Sequence, residues 1–238
     1  MNKPDLSVGI PTYNEAKNIE TMIIRVHEAL KQHNISEEII VIDDSSPDGT
    51  AQLAEQMARD YPVRVYVRPN REGPGPAILD GIRLAAAPVA CIMDGDLSHP
   101  PEALPEMYRL IKEGKALLVI GSRHVKGGGT SQWIWYRKFF SWGARLLGRF
   151  LTPVNDLTSG FFMLDKKILE GAPIAPIGCK VGLELQVKAN HHGRIVEYPI
   201  VFHERAAGES KMRWQETRQY LQHLVSLTFW KLTRLLSQ

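Results

Sequence analysis

The sequence predicts an α/β protein whose doubly wound, mostly parallel sheet is covered by helices on both faces. Short continuous apolar runs, such as EIIVID at residues 38–43, alternate with helical patterns through the first half of the chain. Runs of this kind are typical of strands buried on both faces of a parallel sheet. Polar motifs follow these runs directly, at the carboxyl ends of strands, where such sheets bind their ligands.

Strand and helix patterns alternate regularly as far as residue 121. The predicted strands cover residues 6–12, 38–43, 64–67, 89–93 and 117–121. The predicted helices cover residues 16–33, 50–61, 76–86 and 101–114, and Asn14 or Glu15 stands at the start of the first. Because each strand is followed by a helix, successive strands are expected to run parallel.

The second half is less regular and contains amphipathic helices. The expected order is a basic aromatic helix from about 133 to 152, the motif NDLTSGFF, a helix near 181–192, a strand at 194–202, the loop HERAAGESK and a helix from Arg213 onward. No proline- or glycine-rich linker separates the halves. We therefore expect one domain over residues 1–212. Residues 213–238 form a C-terminal amphipathic helix that belongs to this domain or docks on a membrane or a partner.

Composition places the chain among ordinary globular proteins. It has 238 residues, 44% of them apolar, and only two cysteines, Cys91 and Cys179. This predicts neither a disulfide framework nor a zinc cluster and favours a reducing, cytoplasmic compartment. Pro11 and Glu15 interrupt the N-terminal region before any long apolar run, so no signal peptide is expected. No run approaches the ~20 apolar residues of a membrane-spanning helix.

The positive charge is concentrated in one block. Residues 114–155 contain no Asp or Glu but hold seven of the chain's 29 lysines and arginines, which leaves 22 cations against 26 acids elsewhere. On a helical wheel, the basic residues of the predicted helix 133–152 share a stripe opposite an aromatic arc. Such a helix either lies in a membrane interface or packs on the core with a solvated stripe. The absence of acids favours anionic lipid, and nothing indicates nucleic acid.

Asp94, Gly95 and Asp96 follow the apolar run VACIM. Carboxylates two residues apart project to the same side of an extended backbone, where they repel each other unless a cation lies between them. A Mg²⁺ or Mn²⁺ ion shared with a substrate phosphate is one interpretation. The other is a turn that caps the next helix.

Several common catalytic patterns are absent. The segment GPGPAILDG does not match GxGxxG, and neither GxxxxGK[ST], GxSxG nor HExxH occurs. Dinucleotide oxidoreductases, P-loop NTPases and nucleophile-elbow hydrolases are therefore poorly supported. The stretch DDSSPDGT is rich in turn and cap formers, yet its paired acids also suit a base or a ribose.

Six motifs together resemble the family 2 glycosyltransferases. In chain order they are PTYNE, VIDDSSPDGT, DGDLSHPPE, GSRHVKGGG, DLTSGFF and GESK. The resemblance runs from about Leu6 to Lys211 and is strongest to the dolichol- or polyprenol-phosphate mannose synthase branch. Two positions depart from the family pattern: Gly95 stands where alanine is usual, and EGPGPAILDG carries an extra proline.

The resemblance implies a GT-A fold, which is Rossmann-like, and assigns site residues by motif. The nucleotide-sugar site would be lined by Pro11, Tyr13, Glu15, Ile42, Asp44, Asp94, Gly95, Asp96, Arg205 and Lys211. The metal ligands would be Asp94, Asp96 and Ser98. The acceptor phosphate would face Arg123, Arg137 and Ser141. The residues expected to act in catalysis are Asp96, Arg123, Arg205 and Lys211.

The implied reaction is an inverting, metal-dependent transfer of mannose from GDP-mannose to dolichyl or polyprenyl phosphate. The cofactor would be Mg²⁺ or Mn²⁺. The protein would act in the cytoplasm, attached peripherally to an anionic membrane face, and the need for a membrane-anchoring subunit stays open. One rival is a family 2 transferase that uses UDP-glucose or another nucleotide sugar with a polyprenyl-phosphate or saccharide acceptor. The other is a non-catalytic adaptor that binds anionic membranes.

Overall fold

A seven-stranded sheet forms the centre of the computed structural model, which describes residues 3–131, 148, 150–170, 174, 180–189, 194–203 and 214–236. Its strands are β1 (Leu6–Thr12), β2 (Glu37–Asp43), β3 (Val63–Val67), β4 (Val89–Ile92), β5 (Leu118–Ser122), β7 (Phe162–Asp165) and β8 (Ile195–Pro199). Two further strands, β6 (Gly129–Thr130) and β9 (Val201–Phe202), pair in parallel as a separate small sheet. The spatial order of the main sheet is β3-β2-β1-β4-β7-β5-β8.

Helices cover both faces of this sheet, as the sequence predicts. They are α1 (Ile19–Lys31), α2 (Thr50–Met57), α3 (Pro74–Leu84), α4 (Leu104–Lys112), α5 (Val181–Ala189) and α6 (Trp214–Leu236). Alternate residues of β2 enter two different cores, because successive strand side chains point to opposite faces. Ile39 and Val41 pack with α1 and α4, whereas Ile40 and Ile42 pack with α3 and α5. The mixed, mostly parallel sheet of the prediction is confirmed.

Helix α6 packs on the domain through one of its faces. Tyr220, Leu224 and Leu227 form a third apolar cluster with Leu183 and Val187 of α5. Near its C-terminal end, the Lys231 ammonium donates hydrogen bonds to the carbonyls of Phe150 and Leu151, at 3.1 and 2.9 Å. A separate row of apolar side chains on α6 stays exposed: Leu221, Val225, Phe229 and Leu232. Within the described residues, no helix is long and apolar enough to cross a bilayer.

Three elements differ from the sequence prediction. Strand β7 was not predicted, and it runs antiparallel to both of its neighbours, β4 and β5. The predicted strand 194–202 is two strands in two sheets. β8 pairs with β5 and β9 pairs with β6, and the buried Ile200 lies between them. The predicted helix 101–114 opens with a 3₁₀ turn, Pro101–Ala103, before α4 begins.

The predicted interface helix 133–152 lies almost entirely outside the described residues. Gly148 is helical, but Phe150 and Leu151 lie in a turn, so the helix does not continue to Thr152. Phe150 is 86% exposed, whereas Leu151 is buried in the cluster under α6. Leu151 therefore belongs to the core and not to an outward-facing apolar arc.

Candidate active site

Three polar motifs meet at one edge of the sheet. Strand β1 lies between β2 and β4, and both neighbours run parallel to it. The loops that follow these strands, residues 11–15, 43–50 and 94–99, therefore emerge side by side. Chain order reverses at β1, because β2 and β3 lie on one side of it and β4 on the other. Such a switch point is where open α/β sheets bind ligands.

Side-chain oxygens of the second loop hold the first loop in place. The backbone N–H groups of residues 14–16 donate in turn to Ser46 Oγ at 2.9 Å, Thr50 Oγ1 at 3.0 Å and Asp48 Oδ2 at 3.0 Å. Asn14 adopts a left-handed backbone with φ of 60°, which asparagine tolerates better than most residues. This fixed loop carries Tyr13 and Glu15 to the site edge.

The two adjacent acids after β2 both have partners inside the protein. Asp43 accepts hydrogen bonds from the Ser46 N–H at 2.7 Å and from the Thr12 hydroxyl at 3.0 Å. Asp44 accepts from the buried Arg68 guanidinium at 2.7 Å and from the Gly73 N–H at 2.8 Å. Asp43 is therefore a structural residue. Asp44 reaches the site edge only as part of an ion pair with Arg68.

Arg68 is buried and bonds to three acids, a role that the sequence did not predict. Its guanidinium also donates to Glu72 Oε2 at 2.6 Å and Asp80 Oδ2 at 3.0 Å. Burial on its own would lower the pKa of Arg68, but its hydrogen bonds to Glu72, Asp44 and Asp80 leave the pKa raised. Glu72 is a near neighbour in sequence, but Asp44 and Asp80 come from other segments, so the sequence context of Arg68 does not separate it from a surface arginine.

The Tyr13 ring carries a cation on one face. The Arg71 guanidinium carbon lies 3.8 Å from the ring centroid, within the range of a cation–π contact. An aromatic face at the switch point of the sheet is a suitable platform for a flat ring such as a nucleobase. In the present arrangement Arg71 occupies one side of that platform.

Gly95 and Asp96 lie in a turn that begins directly after Asp94, so the backbone between the two aspartates is not the extended one expected from the sequence. Leu97 has a φ of 64°, an uncommon conformation for a bulky residue. Asp96 is buried and accepts hydrogen bonds from the N–H and the hydroxyl of Ser98, at 3.0 and 2.5 Å. The Asp94 side chain is about half exposed, at 49%. A β-carbon on Gly95 would lie 3.1 Å from Thr12 Cγ2, so this turn rests directly on β1.

His99 completes this turn and was not singled out from the sequence. Its Nδ1 accepts the backbone N–H of Asp94 at 3.0 Å, and its ring stacks on Phe161 with centroids 5.2 Å apart. Burial lowers the pKa of His99, which disfavours the charged ring. The turn also contacts the chain just after β9, where the backbone N–H of His203 donates to the Ser98 carbonyl at 3.0 Å.

Arg123, at the end of β5, is locked to Asp156 of the NDLTSGFF motif. Nε and Nη2 donate to the two carboxylate oxygens at 2.7 and 2.6 Å, and Nη2 also donates to Thr158 Oγ1 at 2.9 Å. Burial would raise the pKa of Asp156, but the hydrogen bonds from Arg123 outweigh it and hold the pKa below its usual value. The guanidinium also lies over the Phe202 ring, 5.4 Å from its centroid.

The remaining candidate residues fall into two groups. Ile42 is fully buried in the core beneath the site, whereas its neighbour on β1, Pro11, is half-buried. Arg137, Ser141, Arg205 and Lys211 lie outside the described residues, and their assignments remain predictions. The described part thus brings together the candidates on β1, β2 and β4 and places Arg123 on the β5 side.

Residues 94–99, which we call the acidic turn, are chemically suited to a divalent cation that is shared with a phosphate. Among the described residues, no three His, Cys, Asp or Glu side chains converge to hold a metal ion by themselves. Mg²⁺ and similar hard cations are commonly held by one or two carboxylates, with substrate phosphates completing the coordination. Asp94 and Asp96 supply hard oxygen donors of this kind, so the residues present fit such an ion.

Comparisons with known proteins agree with this arrangement. A sequence model described as Glycosyl transferase family 2 matches residues 7–171. The chain is 41% identical over 230 residues to a dolichol-phosphate mannosyltransferase of Pyrococcus furiosus, which covers 95% of this chain and 64% of that protein. It is 35% identical over 237 residues to the Saccharomyces cerevisiae dolichol-phosphate mannosyltransferase, covering 95% and 88%. The chain thus spans less than two thirds of the length of the Pyrococcus relative.

Solved structures with similar folds are also glycosyltransferases. A mannosyltransferase from Pyrobaculum calidifontis in complex with GDP-Man and Mn²⁺ superposes with a TM-score of 0.66 at 21% identity, covering 98% of this chain and 65% of that one. A glucosyl-3-phosphoglycerate synthase from Mycobacterium tuberculosis in complex with Mn²⁺ and UDP-glucose gives a TM-score of 0.67 at 20% identity, covering 94% and 78%. The fold of this chain is the GT-A fold, and the chain belongs to glycosyl transferase family 2.

Proposed function

We propose that this protein transfers a mannosyl residue from GDP-mannose to dolichyl or polyprenyl phosphate, with inversion at the anomeric carbon. The observation that carries the proposal is the identity of 35–41% over nearly the whole chain to dolichol-phosphate mannosyltransferases. The site geometry supports it, because the acidic turn and the Tyr13 platform lie at adjacent strand ends.

The donor binds along the edge formed by the ends of β1, β2 and β4. Tyr13 and Asp44 lie on the nucleobase side, and the ion pair with Arg68 keeps the Asp44 carboxylate in one orientation. Asp94 and Asp96 face the diphosphate. When bound there, Mg²⁺ or Mn²⁺ neutralises the charge that develops on the departing diphosphate. Arg205 and Lys211 add positive charge to the same group.

The acceptor attacks through an oxygen of its phosphate. A bond forms between this oxygen and the anomeric carbon, while the bond from that carbon to the β-phosphate oxygen of GDP breaks. A phosphate monoester has a second pKa near ~6, so at neutral pH it is already largely anionic and needs no general base. It needs cations in fixed positions. The pairing with Asp156 supports this role for Arg123, because the guanidinium plane is set before the acceptor arrives.

Contact with an anionic membrane brings the enzyme to its lipid acceptor. The acid-free block 114–155 supports this part of the proposal. Each lysine or arginine near an anionic surface contributes on the order of 1 kcal/mol.

Transfer assays with the purified chain test the proposal. The chain is incubated with Mn²⁺, short-chain polyprenyl phosphate and one of several nucleotide sugars, and the anomeric configuration of the product is read by NMR. We expect transfer from GDP-mannose with inversion. Transfer from UDP-glucose alone would favour the rival transferase. Vesicle binding without any transfer would favour a non-catalytic adaptor.

A further inference from the structure

The His99 side chain folds back onto its own loop. Its Nδ1 accepts the backbone N–H of Asp94 at 3.0 Å, so this nitrogen carries no hydrogen and the single ring proton lies on Nε2. Nε2 lies 3.8 Å from Asp94 Oδ2, which is too long for a hydrogen bond but close enough for electrostatic attraction. The ring therefore contacts Asp94 twice, through its backbone and near its carboxylate.

Aromatic side chains from two other motifs hold the His99 ring in this orientation. Phe161 stacks on it with an interplanar angle of 21°, and Phe202 meets it edge-on at 5.4 Å. The ring is 2% exposed. Since Phe161 belongs to the SGFF segment and Phe202 to β9, the ring cannot rotate without disturbing both.

Gly160 also lies beside the Asp94 carboxylate. A β-carbon at Gly160 would lie 3.4 Å from Asp94 Oδ1 and 3.6 Å from His99 Cε1. The carboxylate thus lies beside a histidine ring and a bare backbone. Asp94 itself is about half exposed, so packing alone does not restrain its side chain.

The turn between Asp94 and His99 needs external support. The left-handed backbone of Leu97 costs on the order of 1–2 kcal/mol and persists only where surrounding contacts hold it. The hydrogen bond from the Asp94 N–H to His99 spans this turn from end to end. Loss of that bond would leave the Asp94 backbone free to change orientation, and its carboxylate with it.

We propose that His99 is a positioning residue for the metal-binding carboxylate of Asp94, and that it acts through the hydrogen bond that Nδ1 accepts from the Asp94 backbone. This inference rests on the proposed metal-dependent transfer. Removing a residue that forms a hydrogen bond with a metal ligand commonly lowers metal affinity by about 10–100-fold.

Mn²⁺ binding in the presence of GDP tests this role without turnover. Free Mn²⁺ is followed by EPR during titration of the wild-type chain, His99→Phe and His99→Asn. Phenylalanine keeps the ring shape but has no acceptor, so we expect at least about 10-fold weaker Mn²⁺ binding. Asparagine places its Oδ1 near the position of Nδ1 and should stay within about threefold of wild type. Circular dichroism and thermal unfolding establish that each variant is folded.

His27→Phe is the matched control. His27 also lies edge-on to an aromatic ring, Tyr61, and pairs with Glu37, but it belongs to α1 and is not part of the acidic turn. Its Mn²⁺ affinity should equal that of wild type. If His99→Phe does not fold, His99→Leu takes its place in the comparison with His99→Asn.

The possible outcomes separate the two proposals. Wild-type Mn²⁺ affinity in His99→Phe overturns the role of His99. An equal loss of affinity in His99→Asn also overturns it, because the stacking of the ring, and not the hydrogen bond, would then be responsible. A wild-type chain that binds no Mn²⁺ with GDP overturns the proposed metal-dependent function instead.

Discussion

Arg123 and Asp156 form a two-point ion pair at the end of β5, with N–O distances of 2.7 and 2.6 Å. The backbone N–H of Arg123 donates to the same carboxylate at 3.0 Å. Asp156 is fully buried, and the Arg123 side chain is nearly so. A cation proposed to face a phosphate is thus partly neutralised by an acid that orients it. The contribution of this ion pair to the stability of the fold can therefore be tested through Asp156.

Asp156→Asn should destabilise the protein by about 3–5 kcal/mol at neutral pH, because it leaves the buried Arg123 without a countercharge. The pKa of Asp156 is lowered in the folded state. The pair therefore stabilises the protein above the unfolded-state pKa of about 3.9, and this contribution is lost as the pH falls through the folded-state pKa. Urea unfolding at pH 7 and pH 3 measures both effects.

The difference between wild type and Asp156→Asn should shrink at the acidic pH. The control is Glu106→Gln, which removes one acid from the exposed pair with Arg109 and should change stability little. An Asp156→Asn variant as stable as wild type at pH 7 would contradict this account of the pair.

Asp96→Asn should abolish metal-dependent turnover and leave the fold intact. The amide oxygen can still accept the Ser98 N–H, which Asp96 does at 3.0 Å, but the charge that faces the diphosphate is lost. Asp96→Ala should be equally inactive and slightly less stable. Initial rates with Mn²⁺ are compared with those of Asp60→Asn, a change at an exposed loop acid. Near-normal rates in Asp96→Asn, or wild-type rates unchanged by excess chelator, would refute the metal role.

Gly95→Ala should destabilise the turn by about 1 kcal/mol through overpacking. The added β-carbon would lie 3.1 Å from Thr12 Cγ2 and 3.2 Å from Ile10 Cγ2. Thr12→Ser removes one of these methyl groups but keeps the hydroxyl bonded to Asp43, so the double variant should recover part of the loss. A double-mutant cycle by urea unfolding measures the coupling. Strictly additive effects would show that the two sites do not meet.

Lys211→Ala should lower turnover far more than it lowers lipid binding. Its proposed role is on the donor diphosphate, so the acceptor and membrane contacts should persist. Lys31→Ala is the control, because Lys31 is exposed at the end of α1 and lies outside the acid-free block. Equal losses of turnover and vesicle binding in Lys211→Ala would move this lysine to the acceptor side.

Membrane attachment should depend on the basic stripe of residues 133–152. The triple change Lys138/Arg145/Arg149→Ser should weaken binding to anionic vesicles, and wild-type binding should weaken with salt. A soluble short-chain acceptor should still be turned over. The control, Lys31/Arg59/Lys112→Ser, removes the same charge from exposed positions on α1, the turn after α2 and α4, respectively. Equal vesicle affinity in both triple variants, or salt-insensitive binding, would assign the helix to the core or to a protein partner.

The sequence predicted the parallel half of the fold because each of its strands is a local apolar run. Strand β7 escaped prediction because it lies outside the regular alternation of strands and helices: a 3₁₀ turn, Lys166–Leu169, follows it instead of a helix. Asp94, Asp96 and Tyr13 were predicted from motifs that follow strand ends. Arg68 was missed because two of its three acidic partners, Asp44 and Asp80, lie in other segments. His99 was missed because the sequence does not show that its ring folds back onto Asp94 and packs against Phe161 and Phe202.

The hydrogen bond from His203 to the Ser98 carbonyl fixes one end of the segment that carries Arg205 and Lys211. The covalent length of the chain then limits how far these residues can lie from His203, whatever path the chain takes. The Cα of Arg205 lies within about 7 Å of the His203 Cα, and that of Lys211 within about 29 Å. Tethers of this length give effective concentrations in the millimolar range. Both cations are therefore supplied to the acidic turn at a local concentration that does not depend on how much enzyme the cell contains.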